Sequence, residues 1–129
     1  PLLGVCIGMH MLGQKSEEGQ SDGLGYIYGE TKQMTSIDDK CIPLPHMGWN
    51  DINATGDDLI WRNVIANEGF YFLHSYAFIP NDNSSIIASS HYGKKFACGI
   101  KSNNIYGFQF HPEKSLHNGI NLLKNFSNL

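Results

Sequence analysis

Gly4-Val5-Cys6-Ile7-Gly8-Met9-His10 joins the end of an apolar strand, Leu2 to Val5, to a helix-compatible segment, Met9 to Gln14, across one cysteine. A cysteine at such a junction sits where backbone N–H groups point outward and the helix dipole is positive. Both features favour thiolate over thiol. Gly4 and Gly8 permit the sharp, strained turn that a nucleophile elbow needs. Taken alone, the same residues also describe a buried structural cysteine between two packing glycines.

The far end of the chain favours chemistry. Gly107-Phe108-Gln109-Phe110-His111-Pro112-Glu113-Lys114-Ser115 places a histidine just past an apolar strand, with a carboxylate two residues on. A cysteine nucleophile needs a base or acid partner, and that partner needs a group that fixes its tautomer. Cys6, His111 and Glu113 supply those roles in order, and Pro112 stiffens the turn between the last two. The rest of the composition sets bounds. The 129 residues, 41% of them hydrophobic, suffice for one core. A formal charge of −3 gives no electrostatic case for nucleic acid or an anionic membrane. Three widely spaced cysteines make neither a disulfide framework nor a C-x-x-C metal site, and fit a reducing cytosol. None of the six histidines pairs with another at helical ligand spacing beside an acid, so no metal site is expected.

Together these motifs resemble the triad (class I) glutamine amidotransferases. Pro45-His46-Met47-Gly48-Trp49-Asn50, Phe70-Tyr71-Phe72-Leu73-His74-Ser75-Tyr76, and Ser16-Glu17-Glu18-Gly19 followed by Gly23-Leu24-Gly25 are similar to the glutaminase subunit of imidazole glycerol phosphate synthase. The resemblance runs from Pro1 to the last helix. It implies an α/β, flavodoxin-like fold, a mixed and mostly parallel sheet flanked by helices. Residues 1–129 would be the C-terminal portion of a single amidotransferase domain lacking its N-terminal strands. It also implies hydrolysis of L-glutamine through a Cys6-His111-Glu113 triad, with no metal or organic cofactor. Gly8, His10, Glu18, His74, Ser75 and Tyr76 become substrate-binding candidates, Glu18 for the α-amino group. Gly48, Trp49, Asn50 and Lys114 fall at the interface with a separate (β/α)₈-barrel cyclase subunit that receives the ammonia, in a cytoplasmic heterodimer serving histidine biosynthesis.

The sequence departs from that pattern at His10, where the family usually carries glutamine. Imidazole can still donate or accept a hydrogen bond. The departure raises the alternative of a paralogue supplying ammonia for amidation of a bacterial surface sugar. A truncated, non-catalytic fragment that docks a partner is another reading. A guanylate or anthranilate amidotransferase is a further one, against which Met47-Gly48-Trp49-Asn50 argues.

Elsewhere, Lys15 to Gly25 reads as a loop, and Asp38-Asp39-Lys40 as a loop tip. Phe70 to Leu73 followed by Ala77 to Ile79 suits a central strand buried on both faces. Ile86 to Tyr92, Phe96 to Ile100 and Ile105 to Phe110 are linked too tightly for helical crossovers, so they read as adjacent, partly antiparallel strands. Cys41 and Cys98 are packing residues. Leu116, Ile120, Leu123 and Phe126 have helical spacing and predict a closing helix with that side on the sheet.

Overall fold

The computed structural model describes residues 1–37 and 42–129. In chain order these form β1 (Leu2–Val5), α1 (Ile7–Met11), β2 (Lys15–Ser16), β3 (Gly29–Gln33), α2 (Met34–Ile37), β4 (His46–Asn50), β5 (Asn53–Ala54), β6 (Phe70–His74), β7 (Tyr76–Pro80), β8 (Ile86–Tyr92), β9 (Lys94–Ser102), β10 (Ile105–Phe108) and α3 (Leu116–Ser127). Single 3-10 turns lie at Leu59–Trp61, Ala66–Glu68, Asn83–Ser85 and Pro112–Lys114. The expected loop tip at Asp38-Asp39-Lys40 and the packing role of Cys41 fall outside the described residues.

The main sheet is mixed, in the order β1-β10-β9-β8-β5. Strands β8, β9 and β10 form an antiparallel meander, as their short links require, and β1 lies parallel to β10. Smaller sheets pair β2-β3-β7 and β4-β6. The period-2 alternation of β10 explains the layering. Tyr106 and Phe108 enter a core that includes Phe70, Phe72, Phe110 and Leu122, with Trp61 and Phe126 packed against it. Gly107, between them, faces the opposite way: a Cβ there would lie 2.9 Å from both Met9 Cγ and Ile100 Cγ1. Glycine lets α1 settle onto the sheet, where Met9 and Leu12 join Ile27, Phe78, Ala97 and Ile100 in a second core. Helices thus cover both faces. Each buried large apolar side chain contributes roughly 2 kcal/mol.

Three expectations change, the first being that the loop expected from Lys15 begins as strand β2, paired in parallel to β3. The stretch from Phe70 to Ile79 is two strands rather than one central strand. It breaks at Ser75, with β6 pairing to β4 and β7 pairing to β3. In β6 only Phe70, Phe72 and His74 are buried, while Tyr71 and Leu73 are half-covered. In α3 the stripe Leu116, Ile120 and Leu123 faces outward, and only Phe126 of the expected set packs on the core. The buried positions are Asn118, Gly119 and Leu122. Polar anchoring decides this orientation. Asn118 accepts from Ile65 N–H and donates to the carbonyls of Ile65 and Gly69. Asn121 donates to Asn63 O, and Asn125 to the carbonyls of Ile60 and Arg62. An irregular segment has backbone groups that must be paired when covered, and one face of α3 pairs them. Gly119 allows the close approach, since a Cβ there would overlap the Pro112 carbonyl.

Candidate active site

Parallel pairing of β1 with β10 sets Val5 opposite Phe108, so the segments after both strands leave the same end of the sheet. The chain turns at once after β1. Cys6 has φ 53° and ψ −110°, a left-handed conformation unusual for a residue with a Cβ. Its N–H is held by Phe108 O at 2.8 Å, and its carbonyl accepts from Met9 and His10 N–H. Gly4 is what brings the start of α1 this close: a Cβ there would sit 2.5 Å from Gly8 O. The Cβ position of Gly8 itself faces open space. The strained elbow read from the sequence is therefore present.

After β10 the chain crosses β6. His111 N–H binds Tyr71 O at 2.8 Å, and the Cys6 thiol points at Leu73 O at 3.7 Å. Carbonyls two residues apart on one strand face the same side, about 7 Å apart. Strand β6 thereby brings the cysteine and the histidine to one place. His111 Nδ1 lies 2.6 Å from Glu113 Oε1. A carboxylate can only accept, so Nδ1 carries the proton, and among the described residues Nε2 has no hydrogen bond. Ser115 Oγ donates to His111 O and accepts from Tyr71 N–H, fixing the turn from behind. The sulfur's own side-chain partner is not His111. It is Gln109, whose Nε2 lies 3.8 Å from Sγ.

The expected bias of Cys6 towards thiolate is not what the surroundings produce. Burial pushes the thiol's pKa up, and the carboxylates of Glu18 and Glu113 add to this, against the Ile7 N–H and the Gln109 amide, which lower it. Helix α1 has only five residues, so its dipole is small. The proton must therefore be taken by a base.

Beside the elbow lies a cavity of about 270 Å³ lined by Ile7, His10, Met11, Ser16, Glu18 and Gly23, among others. The chain at Gly23 and just after it is laced to the end of α1 and the turn that follows, with Gly23, Leu24 and Ile27 N–H bound to the carbonyls of Gln14, Met11 and Leu12. Glu18 and His10 meet there, with Oε2 and Nδ1 3.5 Å apart. His10 is buried, and its Nε2 is 2.8 Å from Gln109 Oε1. Its Nδ1 has no hydrogen-bond partner among the described residues. Gln109, fully buried, carries no role in the sequence reading. The signal available was an amide between Phe108 and Phe110, where two core aromatics leave no apolar reason for it.

Other expected site residues are placed elsewhere. The His74 side chain is enclosed. Its Nδ1 donates to Tyr76 O at 2.7 Å, so Nε2 accepts from His46 Nδ1 at 2.8 Å, and His46 Nε2 in turn accepts from Asn50 Nδ2 at 3.2 Å. Both rings are neutral, with burial lowering the pKa of His46 to about 4 and of His74 to about 3. His74 is therefore a satisfied core histidine with no nitrogen left for a ligand. Ser75 and Tyr76 are half-covered, and Ser75 O is taken by Met34 N–H. Asn50, expected at an interface, turns its amide inward to His46 and His91 O. Gly48 has φ 121° and sits midway along β4. Trp49 and Met47 are exposed, Trp49 packs edge-on to Tyr71, and Lys114 Nζ stands 5.8 Å over the Tyr71 ring. Trp49, Met47, Tyr71 and Lys114 thus form one surface beside His111. Among the described residues no group of three or more His, Cys, Asp or Glu could hold a metal, and no helix is long and apolar enough to cross a membrane.

The family model for glutamine amidotransferase class-I matches residues 1–128. The imidazole glycerol phosphate synthase subunit HisH of Leptospira borgpetersenii is 45% identical over 130 residues, covering 100% of this chain and 64% of that protein. The subunit HisH 2 of Pseudomonas aeruginosa is 43% identical over 129 residues, covering 100% of this chain and 63% of its own length. The chain thus spans somewhat under two thirds of the curated relatives it matches. A crystal structure of a GMP synthase component from Thermoplasma acidophilum has a TM-score of 0.66 at 20% identity, over 99% of this chain and 56% of that one. That likeness is one of fold.

Proposed function

The chain belongs to the class-I glutamine amidotransferases, and from that premise we propose that its protein hydrolyses L-glutamine and passes the ammonia to a partner synthase. The observation that carries the reading is the cysteine elbow at φ 53° held by β6 beside a histidine whose Nδ1 is committed to a carboxylate.

His111 Nε2 takes the proton from Cys6, and the sulfur attacks the side-chain carboxamide carbon. The C=O bond opens to an oxyanion. The first N–H groups of α1, at Ile7 and Gly8, have no acceptor within the helix and are suited to receive that charge. One such donor is worth roughly 3 kcal/mol. His111 then returns the proton to the nitrogen, the C–N bond breaks and ammonia leaves. Water, deprotonated by the same ring, cleaves the thioester to glutamate and restores the thiol. Glu113 keeps the imidazole in one tautomer and offsets its transient positive charge. The Glu18 carboxylate and the lone pair on His10 Nδ1 are the acceptors offered to the substrate's ammonium. Gly8 leaves room for it.

For the partner, the likeness to HisH subunits supports a barrel cyclase that works in histidine biosynthesis, in the cytoplasm. The exposed Trp49 and Met47 beside Lys114 have the aromatic and cationic character that interface anchors share. His10 in place of the usual glutamine favours, as second reading, a paralogue feeding ammonia to amidation of a bacterial surface sugar.

Labelling by a glutamine-like diazoketone, read by intact mass and peptide mapping, tests the proposal with Cys6→Ala as control and a barrel cyclase with its nucleotide present. Modification of Cys6 that glutamine competes away is the expected result. An unmodified Cys6 in a protein that binds its partner would sink the reading.

A further inference from the structure

The sulfur of Cys6 is reached by a string of side chains, and the hydrolysis above uses only its far end, His10 Nδ1. Gln109 Nε2 stands 3.8 Å from Sγ, Gln109 Oε1 stands 2.8 Å from His10 Nε2, and His10 Nδ1 opens onto the Glu18 cavity. We propose that His10 is a positioning residue for the nucleophile: its Nε2–H holds the Gln109 carboxamide so that the amide delivers an N–H to the Cys6 sulfur.

An amide has one acceptor end and one donor end, and rotation by half a turn exchanges them. Gln109 lies on chain that has left β10, between two core aromatics, and its backbone N–H is held by Cys98 O at 2.9 Å. That bond fixes the backbone but leaves the side-chain amide free to present either end to the sulfur. Among the described residues its side-chain partners are His10 and Cys6. A proton on His10 Nε2 requires Oε1 to face the ring, which turns Nε2–H of the amide towards Sγ. Without that donor the amide has no reason to keep this end forward, and its oxygen would meet the sulfur instead. The charged groups acting on the sulfur are Glu18, after β2, and Glu113, in the turn after β10, and both oppose a thiolate. Gln109 is the side chain that works against them. On its other ring atom His10 faces Glu18, and its Nδ1 is buried without a hydrogen-bond partner among the described residues. A purely structural histidine would have both nitrogens paired, as His74 does.

This inference rests on Cys6 being the nucleophile of the proposed reaction, but its test reads the thiol alone. The rate of Cys6 alkylation by iodoacetamide is followed against pH, with the adduct located by peptide mapping so that other cysteines do not interfere. Gln109→Leu should raise the midpoint by about one pH unit, roughly tenfold slower alkylation below it. His10→Leu should give the same shift, and the double variant no more than either alone. His10→Gln, which restores an N–H at the reach of the imidazole Nε2, should return the profile to that of the unmodified protein. The role is overturned if His10→Leu leaves the midpoint in place, if the two shifts add, or if His10→Gln behaves like His10→Leu. A protein that alkylates as expected yet hydrolyses no glutamine would overturn the functional reading and leave this one standing.

Discussion

The molecule holds histidines in two ways. Under β4 and β6, His46 and His74 form a closed string from Tyr76 O to His91 O by way of Asn50, every ring nitrogen paired and both rings neutral. Beside the elbow, His10 and His111 belong to open strings: among the described residues one runs from Sγ to a His10 Nδ1 with no hydrogen bond, facing Glu18, and the other ends at a His111 Nε2 with none. The closed string can do nothing but hold β4 to its neighbours. The open strings have capacity left over, and that surplus is what catalysis needs. Burial alone does not separate a functional histidine from a structural one; the count of partners does.

Three measurements would break or sharpen that contrast. The largest effect belongs to the open side. Glu113→Gln should cut glutamine turnover about a thousandfold, since the wrong tautomer of His111 is no longer excluded. Its stability should stay within about 1 kcal/mol, because the Glu113 side chain is half exposed. A rate near that of the unmodified protein would show that His111 needs no carboxylate. Next comes the closed side. His74→Ala removes the acceptor of His46 Nδ1 and opens a gap beside Phe72 and Phe96, so urea unfolding should reveal a loss of about 3 kcal/mol. A loss below about 1 kcal/mol would mean the string is ornamental.

The last effect is in pH. The pair titrates in the fold at about 4 and about 3, below the ordinary 6.5 of an unfolded histidine. Protonation therefore favours the unfolded chain. The stabilisation is present in full above about pH 6.5 and is lost as pH falls through the acid range. The thermal midpoint should decline already between about pH 6.5 and 5, before most carboxylates titrate. A level midpoint across that interval would mean that no proton is taken up on unfolding.

How much of this was legible follows from the kind of interaction involved. The elbow was legible because it rests on local needs: an apolar strand, a cysteine, and Gly4 where no Cβ fits. The meander was legible because Gly93 and the Asn103-Asn104 pair are too short for any other link. Gln109 was missed because its reason lies 99 residues away in sequence, at His10. The break at Ser75 was missed for a similar cause: β6 and β7 are equally apolar, and only their separate partners part them. The outward stripe of α3 was misjudged because apolar periodicity predicts a face by hydrophobicity, whereas here asparagine amides outweigh it. At His74 the ring's role is set by His46 and by Tyr76 O, neither of which local sequence identifies as its partner.

The asparagines of α3 have a mechanical consequence. Asn118, Asn121 and Asn125 grip carbonyls and one N–H of the segment 60–69, and touch none of its side chains through these bonds. The helix therefore acts as a jig for that segment's path, held through backbone groups and independent of the exposed side chains along it. Residues there such as Arg62 or Ala66 can be exchanged while the path stays put, but an asparagine cannot. Since the segment runs directly into β6, whose Tyr71 and Leu73 carbonyls seat His111 and Cys6, the alignment of the two groups proposed to react is machined from a helix whose asparagines bond to neither of them.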